Sequence, residues 1–156
     1  MAAPLIPVFR TAKETLLIGT MTIYDTQADL SERVPHQWRE FRLSHPAPGT
    51  SCDFYGASPC TNDRKIHYLT GIALKGQDDS IHGDRLTLEA GEYAVVRVED
   101  AARLRDTWIW MLRTWLPASG RLEKKAPEFE RFTDISESGL PVGPVEIWIP
   151  LEPADH

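Results

Sequence analysis

Positive charge is scarce in this chain: 17 lysines and arginines stand against 23 aspartates and glutamates, a formal charge of -6 over 156 residues. No overall field would draw in a phosphate backbone, which argues against direct nucleic-acid binding. Long apolar runs are missing too. No segment approaches the roughly 20 continuous apolar residues that span a bilayer. The first ten residues, broken by Pro4 and Pro7, have neither the basic leader nor the apolar stretch of a secretion signal. The expectation is a soluble, cytoplasmic protein with no membrane partner. Cysteine is limited to Cys52 and Cys60, whose spacing matches neither a close zinc pair nor a redox Cys-x-x-Cys. His36, His45, His67, His82 and His156 form no helical i, i+4 pair and no His-Glu-x-x-His, so the zinc-hydrolase pattern is absent. There is no Gly-x-Ser-x-Gly elbow, and Gly71, Gly76 and Gly83 are too dispersed for a phosphate loop. No cofactor or metal is expected.

What is present suits one domain over residues 1–156, with 42% hydrophobic and 26% charged residues. Periodicity gives the same order twice. The first unit, about 16–75, has a strand at 16–25, a helix at 27–44 and strands at 52–57 and 65–75. The second, about 85–151, has a strand at 85–98 interrupted at Ala90-Gly91, a helix at 101–116 and strands at 129–133 and 145–151. The predicted class is α+β: duplicated β-α-β-β units forming an antiparallel sheet, two main helices on one face, a ligand groove on the other.

In the first helix Leu30, Val34, Trp38 and Phe41 share a face. Thr26 with Asp29 resembles a capping box, and Pro35 predicts a kink or a second start. In the second, Asp100 is positioned to cap, Leu104, Trp108, Met111, Leu112 and Trp115 form the stripe, and Pro117 with Gly120 ends it. Trp110 lies off that stripe; it is a candidate ligand contact, and an exposed ring for a protein partner is a further expectation. Loops are predicted at 45–49, 76–79 and 138–144.

Alternation on the last strand sends Val145, Ile147 and Ile149 to the helices and Glu146 with Trp148 to the opposite face. A carboxylate beside an indole suits a flat, apolar cation. Glu128, Glu130 and Phe132 share one face, apart from Phe129 and Arg131. Tyr93 opposes Ala94 and Val96. Each also has a plain structural role open to it: Glu146 as an edge charge, Glu130 paired with Arg131 or Arg97, Tyr93 as a buried ring.

The segments at 90–95 (Ala-Gly-Glu-Tyr-Ala-Val), 115–120 (Trp-Leu-Pro-Ala-Ser-Gly), 127–132 (Pro-Glu-Phe-Glu-Arg-Phe) and 145–150 (Val-Glu-Ile-Trp-Ile-Pro) resemble the signature of GyrI-like bacterial effector-binding domains, also found behind AraC-type regulators. Tyr55-Gly56 resembles that family's Tyr-Gly strand, and Tyr68 is expected to line the same groove. The resemblance implies a pocket walled by Tyr93, Trp148, Phe132, Tyr68 and Tyr55, with Glu130 or Glu146 supplying negative charge for an aromatic or amphipathic, cationic small molecule. Which glutamate lies deeper is left open. It also implies two other activities: hydrolysis of reactive cyclopropane-type genotoxins by a pocket glutamate, or restraint of a separate protein partner, as in the gyrase-inhibiting members. In place of the family's glycine turn before the second helix stands Val98-Glu99-Asp100-Ala101-Ala102, so the pocket rim is expected to differ.

Overall fold

The computed structural model describes residues 5–44, 53–74 and 82–154. The predicted loops at 45–49 and 76–79, with Cys52 and Lys75, lie outside the described residues. The first unit comprises β2 (Thr15–Tyr24), α1 (Gln27–Ser44), β3 (Phe54–Ser58) and β4 (Ile66–Ala73), preceded by β1 (Val8–Ala12). After β5 (Asp84–Leu88) the second unit repeats the order: β6 (Gly91–Val98), α2 (Leu104–Trp110), β7 (Glu128–Phe132) and β10 (Val145–Pro150). A small hairpin of β8 (Asp134–Ile135) and β9 (Pro141–Val142) forms within the last connection, part of which had read as plain loop.

All eight main strands join one antiparallel sheet in the order β1-β6-β10-β7-β3-β4-β2-β5, so the β3–β7 pairing fuses the two units. Two residues, Lys13 and Glu14, link edge strand β1 to β2, and two more, Glu89 and Ala90, link edge strand β5 to β6. Such short links draw the two edges together and curl the sheet into a half-barrel. Its inner face is filled by one cluster that includes Leu17, Ala57, Leu69, Leu88, Tyr93, Phe129 and Trp148, to which no helix of the described residues contributes. Enclosure comes from the curl itself.

The outer face carries the helices. Ala94, Val96, Val98, Ile147 and Ile149 pack beneath Met111 and Leu116. Trp38 and Phe41 of α1 pack onto Phe54, Tyr68 and Phe132. The Thr26 hydroxyl caps α1 by accepting from the Asp29 N–H at 3.1 Å. Of the kink or second start expected at Pro35, the second start does not occur: α1 is one continuous helix through Pro35. Proline's fixed φ is helical, but the ring removes one backbone hydrogen bond and crowds the carbonyl one turn back; the aromatic anchors Trp38 and Phe41 beyond it hold the second half. Gln37 fastens the helix from within: its Nε2 donates to the backbone oxygens of Thr20 (3.0 Å) and Tyr68 (2.9 Å), and its Oε1 accepts from the Tyr24 hydroxyl at 2.5 Å.

The second helix starts where Asp100 caps a 3-10 turn (Ala101–Arg103), accepting from the Ala102 N–H at 3.0 Å. Beyond α2 it widens into a π-helical turn (Met111–Trp115), then closes as α3 (Leu116–Ser119) against Gly120 at φ +76°. A π turn rotates less per residue than an α turn and broadens the buried stripe. Trp110, just before that turn, is partly buried against the outer cluster, not the exposed ring expected. No helix among the described residues is long and apolar enough to cross a membrane.

Candidate functional site

At the seam between the units, Gly56 of β3 stands opposite Glu130 of β7. A methyl group at Gly56 would lie 1.9 Å from the Tyr68 hydroxyl and 3.1 Å from Glu130 Oε1. The missing side chain is what lets Tyr68 reach across from β4. Its hydroxyl donates to Glu130 Oε1 at 2.9 Å, and the Trp108 indole N–H on α2 donates to Oε2 at 2.8 Å. Each half of the protein thus supplies one neutral donor to the same carboxylate. Trp38 and Phe132, with ring centroids 5.0 Å apart, complete an aromatic floor on this outer face.

The electrostatics around Glu130 are one-sided. Burial raises the Glu130 pKa above its ordinary value, although the bonds from Trp108 and Tyr68 act to lower it. The Tyr68 phenol is pushed well above its usual range, by burial first and by the Glu130 charge second. Two residues back on the same face, burial and the nearby Glu123 carboxylate push Glu128 up to about 8, and its Oε2 has no hydrogen-bond partner. The ion pairs of the described residues all lie elsewhere: no lysine, arginine or histidine neutralises Glu128 or Glu130.

The inner face has the opposite arrangement. Trp148 stacks on Phe129 (5.3 Å, 13° between planes), with Tyr93 edge-on to it at 5.6 Å. Glu146 shares the face, but its Oε1 already accepts from Arg131 Nε at 3.0 Å and from the Trp148 indole at 3.2 Å. Arg131 also lies 3.5 Å from Asp53 and 5.5 Å from the Trp148 ring centroid. Beside it a cavity of about 50 Å³ is lined by Tyr55, Tyr93, Phe129 and Trp148, with Lys13 and Arg131 at its edge. That holds a few waters but is well short of the about 150 Å³ that takes a benzene ring.

A GyrI-like family, described as integron-associated effector-binding proteins, matches residues 10–151 by its sequence profile. The chain belongs to this family. Several solved structures share its fold. SAV2435 bound to tetraphenylphosphonium superposes with a TM-score of 0.73 at 17% identity, covering 94% of each chain. The integron cassette protein VCH_CASS2 of Vibrio cholerae gives 0.69 at 14% identity over 94% of this chain and 95% of its own. The C-terminal domain of EcmrR gives 0.60 at 13% identity over 96% and 99%. No curated protein matches the sequence.

The eight candidate residues do not share one groove. Glu130, Phe132 and Tyr68 lie on the outer face; Glu146, Trp148, Tyr93 and Tyr55 lie on the inner one. The expected single wall of Tyr93, Trp148, Phe132 and Tyr68 is corrected accordingly, because strand alternation separates them across the sheet. Tyr68 shares its face with Phe54, not with Tyr55. Trp110, on α2 itself, is partly buried against the outer cluster. Three contributors went unread: Trp108, taken for core; Gly56, as space for Tyr68; and Arg131, as the occupant beside Trp148. For Trp108 a signal existed, since a buried indole N–H needs an acceptor.

Proposed function

We propose that this protein binds an aromatic or amphipathic small cation on the outer face, between sheet and helices, with Glu130 as the anchoring carboxylate and Tyr68, Phe132, Trp38 and Trp108 as walls. The observation that carries the reading is a deep carboxylate held by two neutral donors with no cationic partner. Burying such a charge unpaired costs several kcal/mol, and a ligand cation would recover that cost while its rings face the aromatic floor. The tetraphenylphosphonium bound to the similarly folded SAV2435 supports the class of ligand. The chain would then act as a ligand sensor or a sequestering protein. The hydrolytic reading draws less support, because both Glu130 oxygens are already engaged by fixed donors.

Titration with tetraphenylphosphonium, followed by tryptophan fluorescence and calorimetry, tests this. Saturable binding is expected to weaken at least tenfold in Glu130→Gln and to survive in Glu146→Gln. Affinity should also fall as pH drops through the raised Glu130 pKa, since a proton competes for the same carboxylate. Equal affinity of wild type and Glu130→Gln refutes the proposal.

A further inference from the structure

The inner face carries every element of an aromatic-cation site: an indole face at Trp148, a carboxylate at Glu146 on the same strand face, a second carboxylate at Asp53, and an adjoining void. The position a ligand cation would take is occupied by the guanidinium of Arg131. We infer that Arg131 is a tethered occupant that determines charge specificity, closing a second cation site in the half-barrel and confining cationic ligands to the Glu130 groove. The cation class rests on the proposed function; the occupancy of the inner site does not.

The geometry is specific to this side chain. β7 alternates, so consecutive residues face opposite sides of the sheet: Glu130 turns to the helices, while Arg131 and Phe129 turn inward. Arg131 Nε reaches Glu146 at 3.0 Å and Asp53 at 3.5 Å, and its charge lies over the Trp148 ring. A tethered group competes at the high effective concentration of its short linker, so a free cation meets a site already filled. The Arg131 side chain is 37% exposed, and the pocket it closes is at the surface. Truncation to alanine removes the guanidinium and two methylenes and joins their space to the existing void of about 50 Å³. Glu146 and Asp53 are left unpaired around it.

Calorimetric titration with phenyltrimethylammonium, a small aromatic cation, separates the possibilities in a Glu130→Gln background that removes the outer site. Glu130→Gln alone is expected to bind weakly or not at all. Glu130→Gln/Arg131→Ala should bind at least tenfold more tightly, with one ligand per chain, and adding Glu146→Gln should abolish the gain. Arg131→Lys, which keeps the cation, should restore exclusion. Arg131→Gln provides a second neutral variant, expected to gain binding in the same direction, should the alanine variant fold poorly by circular dichroism. No gain in either neutral variant overturns the inference. If the wild type binds no cation while Glu130→Gln/Arg131→Ala does, the Glu130 proposal fails, and with it the confinement of cations there, while the occupancy of the inner site by Arg131 stands.

Discussion

Replacing Glu128 by glutamine should make the protein more stable at alkaline pH and leave it nearly unchanged at pH 5. Glu128 is half-buried on the outer face near Glu123 and Glu130, with its Oε2 enclosed, and its pKa rises from 4.5 to about 8 through burial first and the Glu123 charge next. Between those values the folded state keeps the proton and the unfolded chain has lost it. Stability therefore falls as pH rises through the window, the sense expected for a carboxyl whose folded pKa is raised. One pH unit of displacement weighs about 1.4 kcal/mol, so the full shift sets a ceiling near about 5 kcal/mol. Glu123 is exposed and free to turn toward solvent, which relieves part of the repulsion and brings the expected difference to about 2–3 kcal/mol. Glutamine keeps the shape and removes the charge. Urea denaturation of both proteins at pH 5, 6.5 and 8.5 isolates the effect, because every other titrating group is common to the two. Parallel stability-pH curves for wild type and Glu128→Gln would refute the reasoning.

Two further outcomes follow from the packing around the seam. Gly56→Ala places a methyl 1.9 Å from the Tyr68 hydroxyl, so the ring must leave Glu130; the lost charge-assisted bond costs about 1.5–3 kcal/mol, measurable as a shift in denaturation midpoint together with weakened tetraphenylphosphonium binding. Gln37→Ala strips α1 of its buried link to the Thr20 and Tyr68 backbone oxygens and to the Tyr24 hydroxyl. A loss of about 2–4 kcal/mol is expected, and thermal melting should register it as a fall of several degrees.

Much of the fold was legible because each unit obeys a simple period. The β-α-β-β order, the stripe of Trp38 and Phe41, and the Thr26 and Asp100 caps all stand as read. β1 escaped because Val8, Phe9, Arg10 and Thr11 are all exposed, and an edge strand buried on neither side leaves no alternation to detect. The widening of the second helix at Met111–Trp115 escaped because a π turn changes the rotation per residue, information that a 3.6-residue pattern does not contain.

The site was legible residue by residue but not in assembly. Alternation correctly paired Glu130 with Phe132 and Glu146 with Trp148; it is a rule about neighbours on one strand and is silent on how strands from distant parts of the chain join. The β3–β7 pairing decides that, setting Glu130 against Gly56 and thereby within reach of Tyr68 from one unit and Trp108 from the other. The same pairing turns Arg131 to the inner face, opposite Tyr55 and beside Glu146. One strand at the seam thus presents an unpaired carboxylate to one side of the sheet and a self-paired guanidinium to the other. The two glutamates that sequence left equivalent are made unequal by this: Glu146 has its cation already, and Glu130 has none.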